Sequence, residues 1–520
     1  HRFALWGPAI PKWADENAEQ AREPFRLLKN DSVLLSATLV VRNDAEDVIQ
    51  AIADYLRETG MPQPPAPQRT DLQALTLTVQ GLLGNYDANL KAWRHTNTGP
   101  TFYDPQVALP LWVLGHRLYP EDSRRRAALQ QVREAVSAQP RGNIGLELAF
   151  YIGGLPSVLQ QWDGTMESVR KTQRADGSWG WNPETPRHAI FGKAGDTASG
   201  WTGQHAARIG QHARITLNPA SRESLMRALN FLMRQRRPEG AQTWELPLHV
   251  PDLLAVPYAI NAFLDAYQLT GESRYREWAE RWALRGVPFV YLWSAPDRPI
   301  MRGATIPVFG VTWLSQQPWF GVAVQWNGLV YARALYRLAE QNPESPFDWR
   351  RLADTITLNA VQQQEWTSER YPAHEGMYPD AFSIVKGAEE YHWDLNPRLV
   401  APCLAQRLRF AIEPKTVIAR RGARLVACTA PGLQSAEWEG ERMVMEISTP
   451  VSGLPALHVY VAGLESVNAV RLNGQPLPQV NDIDKYLWEL GEPASGWQRP
   501  HGGLIIRVVN PPDRFTLEVE

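Results

Sequence analysis

The chain has 520 residues, more than one ordinary core holds, and at about 100 to 200 residues per domain it is expected to contain two to four units. A net charge of −2 with no long Lys/Arg run argues against a nucleic-acid or membrane-surface partner, and no apolar run reaches the roughly 18 residues that cross a bilayer. Two cysteines, Cys403 and Cys428, exclude a disulfide framework and a multi-thiolate zinc site.

Residues 1–67 form the first predicted unit. It begins at His1 rather than Met and shows no basic-then-apolar leader. A signal peptide or an upstream segment is therefore expected to have been removed, or the chain to start here, and a secreted or periplasmic location is expected. The run Ser32 to Val41 reads as extended and Ala45 to Glu58 as a helix. The stretch Pro62-Gln63-Pro64-Pro65-Ala66-Pro67 favours extended polyproline geometry and a boundary.

Helical spacing dominates residues 68–411. Three segments repeat one unit, an apolar helix, a short polar turn and a second helix. They run from Gln204 to Phe231 turning at Asn218-Pro219-Ala220-Ser221, from Tyr258 to Arg285 turning at Thr270-Gly271-Glu272-Ser273, and from Gly328 to Val361 turning at Asn342-Pro343-Glu344-Ser345. A weaker copy turns at Pro120-Glu121-Asp122-Ser123. Such hairpins cannot each bury an apolar face alone, so they must stack side by side into a ring or array. Arg124-Arg125-Arg126 and Arg234 to Arg237 read as solvated helix faces.

From about 412 to 520 the pattern changes to short alternating strands, among them Leu457 to Val461, Ala469 to Leu472 and Leu504 to Val509. Asn473-Gly474, directly after Leu472, signals a two-residue hairpin. An antiparallel β-sandwich is the expected tail. The fold class is thus mainly α, an (α/α) toroid of about six hairpins followed by a β-sandwich.

A second repeat lies where helices end. Gln173-Arg174-Ala175-Asp176-Gly177-Ser178-Trp179 follows one helix, and Gln235 to Trp244, with Gly240 between, follows another at longer spacing. Gln-x-x-x-Gly-x-Trp resembles the helix-ending motif of terpenoid cyclases, where Gln and Trp tie one helix end to the next turn of an (α/α) toroid. The resemblance implies fold alone, because the Asp-x-Asp-Asp and Asp-Asp-x-x-Asp motifs of those cyclases are absent. A toroid followed by a sandwich also resembles the layout of many glycoside hydrolases and polysaccharide lyases, which implies carbohydrate chemistry without naming one family.

Work on a glycosidic bond needs positioned acids and bases, so loops between hairpins are the place to look. The richest is Gln242 to Asp252. Pro247 and Pro251 keep it out of a helix, and Glu245, His249 and Asp252 are expected to converge near a helix start. In the loop Ala194 to Gly203, three glycines allow close approach of backbone to ligand, and Asp196 is either a ligand-facing carboxylate or a helix N-cap. The loop Tyr371 to Asp380 offers Glu375 and Asp380 with His374 and Tyr378 beside them. Glu389 to Asp394 could supply another carboxylate or only a surface salt bridge.

Tryptophan is abundant, with 21 residues, and its flat rings suit either core filling or stacking on sugars. Trp201, Trp244 and Trp319 lie in or beside the candidate loops, and Trp326 starts the third hairpin. Trp278 and Trp282 share one helix face, and Pro288 to Trp293 reads as a buried extended segment. Serine-nucleophile elbows, phosphate loops, the dinucleotide glycine fingerprint and the helix-borne zinc motif are all absent, and no cofactor or metal is expected.

The expected activity is cleavage of a glycosidic linkage in a poly- or oligosaccharide by an inverting hydrolase. Glu245 or Asp252 would pair with Glu375 or Asp380 across about 6.5 to 9.5 Å. Trp201, Trp244, Trp319, His249, His374, Tyr378 and Asp196 would bind substrate. The alternatives are a β-eliminating lyase for uronic acids, with Tyr378 and His249 or His374 as base and acid and Arg302 neutralising the carboxylate, and a non-catalytic glycan-binding protein.

Overall fold

The computed structural model describes residues 47–294, 300–310, 322–364, 375–384, 393–500 and 502–520, together with 28–30, 32, 39, 41 and Trp319. Most of the extended run predicted over Ser32 to Val41, and the candidate His374, lie outside the described residues.

Thirteen helices are present among these residues: α1 (Ile49–Thr59), α2 (Asp71–Gly84), α3 (Pro105–Leu118), α4 (Ser123–Ser137), α5 (Leu146–Ile152), α6 (Leu155–Lys171), α7 (Ser199–Thr216), α8 (Pro219–Arg234), α9 (Ala255–Thr270), α10 (Ser273–Gly286), α11 (Gln325–Gln341), α12 (Trp349–Gln363) and α13 (Val400–Arg407). The turn chemistry read from sequence builds the hairpins. Asn218 caps α8 by accepting from the Ser221 N–H, Asp122 caps α4 from the Arg124 and Arg125 N–H groups, and Asp348 caps α12 from Arg351. Gly271 ends α9 in the left-handed region, where a side chain would be strained.

Odd-numbered helices from α3 to α13 form the inner ring and even-numbered ones the outer. Each inner helix packs on the outer helix that follows it, α9 joins α7 to α11, and α2 bridges α13 to α3 so that the ring closes. The last inner helix thus takes its outer partner from the start of the chain. Short turns such as Gly153-Gly154 and Leu217-Asn218 join inner to outer helices at one end. At the other end lie the long segments 85–104, 172–198 and 235–254 and the described parts of 287–324 and 378–399, each leading into the N-terminus of an inner helix. Because the inner helices run parallel, all of these loops share one mouth.

The Gln-x-x-x-Gly-x-Trp segment does the tying that its resemblance implies. Gln173 and Trp179 form an isolated bridge, Gln173 donates to the carbonyls of Gly177 and Ser224 at 3.0 and 2.9 Å, and the Trp179 indole donates to Val169 at 2.9 Å. The end of α6 is thereby fixed to α8. Gly177 has φ 91°, and a Cβ there would meet the Arg227 carbonyl oxygen at 2.1 Å, so only glycine fits.

Short strands shape the mouth. β1 (Tyr86–Asp87), β2 (Ala92–Arg94) and β3 (Thr101–Phe102) form one small sheet, while β4 (Val322–Ala323) pairs with β6 (Phe382–Ser383) and β5 (Tyr378–Pro379) with β7 (Asp394–Leu395). Pro288 to Trp293 begins as a 3-10 turn and continues extended, with Val290 bridging Thr305. The proline run does not stand free: the carbonyls of Pro62 and Ala66 accept from Thr355 and Gln362 of α12.

The remaining strands are β8 (Lys415–Arg421), β9 (Arg424–Ala430), β10 (Leu433–Glu439), β11 (Arg442–Ser448), β12 (Ala456–Ala462), β13 (Val470–Leu472), β14 (Gln475–Pro476), β15 (Gly496–Gln498), β16 (Gly503–Val509) and β17 (Arg514–Val519). They make two five-stranded antiparallel sheets, in the orders β10-β11-β17-β13-β14 and β15-β16-β12-β9-β8. Asn473 and Gly474 both take positive φ, 49° and 78°, in the two-residue turn between β13 and β14. The all-buried β12 explains the join to the helices, since it packs against α5, His458 approaches the Phe150 carbonyl, and Tyr151 donates to the Ile412 carbonyl at 2.7 Å.

Candidate functional site

Two of the sequence candidates come together at the mouth, Glu245 and Asp380. Glu245 sits in a tight turn whose N–H groups at Glu245 and Leu246 both donate to the Gln242 carbonyl, at 3.2 and 3.0 Å. Asp380 lies between two pinned strands, β5 against β7 and β6 against β4, and its own N–H donates to the Trp393 carbonyl at 2.7 Å. Because β4 runs directly into α11, the same pairing sets the Asp380 carboxylate beside Trp326, whose indole donates to it at 3.1 Å. The Trp326 ring in turn stacks on Trp244, with centroids 6.3 Å apart at 28°. Trp244 is 44% exposed, so an apolar face borders the carboxyl pair at the surface.

Burial and the neighbouring Asp380 charge push the Glu245 carboxyl up to about 7, with Asp252 adding to the rise and the Trp244 side chain opposing it. Burial also raises Asp380, against the pull of the Trp326 N–H. A carboxyl raised by burial and by a neighbouring carboxylate has the character of the acid in an acid–base pair.

Asp252 corrects the expectation of a catalytic carboxylate. It is fully buried and accepts from the N–H groups of Ala241, Gln242 and Leu254 and from the Gln242 side chain, at 2.6 to 3.0 Å. Burial raises its carboxyl to about 6 against these donors. With its acceptors committed and its surface closed, Asp252 shapes the turn that carries Glu245 and does not meet a substrate. Asn327 at the start of α11 extends the brace by donating to Gln242 at 3.3 Å.

Other expectations are also corrected. Glu375 is exposed but lies against α2, where Gly81 and Gly376 are so close that a Cβ on Gly81 would meet the Gly376 carbonyl carbon at 2.9 Å, and its charge is felt by Tyr119 beyond the far end of α3. Tyr378 is 1% exposed, and burial raises its phenol far above the usual range, so it is core rather than a base or a binding residue. Asp196 does not cap α7, whose N-cap is Ala198. It accepts from the Lys193 N–H at 3.1 Å and closes its own turn.

His249 is exposed at the edge of the loop and pairs with Glu239 at 3.0 Å, which also holds Arg237. Trp201 packs with Trp181, Phe191 and Leu248 and stands edge-on to His205, so it belongs largely to a core cluster. Trp319 packs beside Trp326 against Val322, Val324 and Ala381, near the pair but partly buried. Arg302 uses its N–H and carbonyl in backbone ties to Ser294 and Asn359. Trp326 was legible only as an aromatic at a helix start, and nothing in the sequence signalled its bond to Asp380, 54 residues away.

Among the described residues no group of His, Cys, Asp and Glu is arranged to hold a metal ion, and no helix is long and apolar enough to cross a membrane.

No family model matches the chain, and no curated protein matches it. Among solved structures it is similar to an unsaturated glucuronyl hydrolase specific for heparin, at 12% identity over 66% of this chain and 99% of that one, with a TM-score of 0.40. The unsaturated glucuronyl hydrolase of Bacillus sp. GL1 is 15% identical over 65% of this chain and 97% of that one, with a TM-score of 0.39. The α-1,6-mannanase of Salegentibacter sp. HEL1_6 is 16% identical over 65% and 98%, with a TM-score of 0.38.

Proposed function

We propose that the chain is a glycoside hydrolase that cleaves a poly- or oligosaccharide at the mouth of the toroid, with Glu245 as general acid and Asp380 as the carboxylate that activates water. The observation that carries this reading is that the Asp380 charge raises the Glu245 carboxyl beside the Trp244 and Trp326 rings. Glu245 protonates the leaving oxygen as the glycosidic bond breaks. Asp380 takes a proton from the attacking water, and the product inverts at the anomeric carbon. Trp244 offers a face on which a sugar ring stacks. A lyase finds less support, since buried Tyr378 cannot serve as its base.

The test is a screen of oligosaccharides for release of reducing ends, followed by proton NMR of the fresh product. Hydrolysis with inverted anomeric configuration is expected, and its loss in Glu245→Gln and Asp380→Asn. An unsaturated product absorbing in the ultraviolet would replace hydrolysis by elimination.

A further inference from the structure

Cations on the inner helices generally have carboxylates of their own. Arg214 on α7 and Arg337 on α11 both donate to Asp265, at 2.6 and 2.5 Å, and Arg333 on α11 donates to Glu413 at 2.7 Å. Arg407 on α13 reaches Asp71 at 2.9 Å. Arg208 on α7 differs. It is exposed, and among the described residues no carboxylate lies within ion-pair distance and no hydrogen bond engages it.

The faces of α7 show where Arg208 points. Gly203 and Gly210 face α9, since a Cβ on them would meet Tyr258 at 3.4 Å and Asp265 at 2.8 Å. His212 faces α6 and α8 through Asp163 and Ser221, at 2.7 and 2.9 Å. The remaining stripe is Gln204, Arg208 and Gln211, at helical spacing. Gln211 donates across to Glu147 on inner helix α5 at 3.3 Å, so this stripe is turned away from α9 and toward α5. Gln211 and Glu147 line a cavity of about 300 Å³ with Asn143 and, from the outer helix α6, Gln161 and Trp162, so the cavity lies between α5, α6 and α7. Arg208 stands one turn nearer the mouth. The Tyr258 phenol feels the charges of both Asp252 and Arg208, which puts the guanidinium within electrostatic reach of the loop that carries Glu245.

An exposed guanidinium without an ion-pair partner presents a planar fork that matches a carboxylate or sulfate ester. We infer that Arg208 reads an anionic substituent on a sugar bound inside the ring, so that the substrate is an acidic glycan. The inference rests on the glycosidase reading for the neighbouring carboxyl pair, but its test does not use turnover.

Binding of D-glucuronate, glucose 6-sulfate and D-glucose is measured by calorimetry at low salt on the full chain and on Arg208→Ala, Arg208→Lys and Glu245→Gln. The wild type should bind at least one anionic sugar about tenfold or more tighter than glucose, and 1 M salt should reduce that preference. Arg208→Ala should abolish it with unchanged melting, Arg208→Lys should keep part, and Glu245→Gln should keep it whole. Whichever anion is preferred identifies the substituent as carboxylate or sulfate. Equal binding of all three sugars by the wild type, or a preference that survives Arg208→Ala, overturns the inference. Full turnover in Glu245→Gln would instead remove the catalytic assignment and leave this result standing.

Discussion

Glu245 combines a raised pKa with a position beside a second carboxylate, and both consequences are measurable. As a general acid it must be protonated, so kcat should fall as pH rises above about 7. Glu245→Gln should lose about 10² or more in turnover while melting as a folded protein. The same shift has a stability side. A carboxyl raised from 4.5 to about 7 in the folded state contributes stability that is fully present below about 4.5 and is lost as pH climbs through 7. Glu245→Gln cannot ionise, so its melting temperature should drop less than that of the wild type between about pH 5 and pH 8, as scanning calorimetry would show.

Asp252 belongs to the same scale with a different signature. Asp252→Asn replaces an acceptor of four N–H donors by an amide that accepts at one oxygen only, which leaves buried donors unpaired. It should cost about 1 to 3 kcal/mol of stability and lower turnover by loosening the Glu245 turn. Denaturant unfolding and activity should therefore fall together, whereas Glu245→Gln separates them.

At the scale of elements, the decisive parts are ties between helix ends. Gly177→Ala combines a left-handed backbone with a Cβ that would meet a carbonyl oxygen at 2.1 Å, and the backbone strain alone is about 1 to 3 kcal/mol. The expected outcome is a lower denaturation midpoint, while Gln173→Ala, which frees two carbonyls of their donor, should give a smaller loss in the same direction. Full stability in both variants would show that the α6 end does not need this tie. The second copy, Gln235 to Trp244, has been turned to another use, since Trp244 lies exposed beside Trp326 instead of closing a helix end.

For the whole molecule, the two C-terminal sheets act as a wall of the ring. β12 packs on the short inner helix α5, and a Cβ on Gly153 would meet the Lys485 carbonyl oxygen at 2.3 Å. Removing residues 412–520 exposes Phe150, Tyr151 and their neighbours, all fully buried in the intact chain. The truncated chain should be recovered mainly as aggregate or as a species that binds hydrophobic dye. A soluble, cooperatively melting truncation would show that the toroid folds alone.

Periodicity and turn chemistry determined the helical hairpins, because apolar spacing and residues such as Asn218, Asp122 and Gly271 act on their own neighbours. Alternation and Asn473-Gly474 likewise determined the antiparallel tail. Two hairpins escaped this reading: α5 with α6 turns on two glycines around a seven-residue helix, and α13 finds its partner α2 at the other end of the chain. Loop composition brought Glu245 and Asp380 into view, but it gave equal weight to Asp252, Glu375 and Tyr378. Tertiary structure alone decided among them, because burial and the pairing of β4 with β6 and β5 with β7 are long-range events. A carboxylate becomes an acid, a base or a brace according to what the rest of the chain packs around it, and no local pattern of residues encodes that environment.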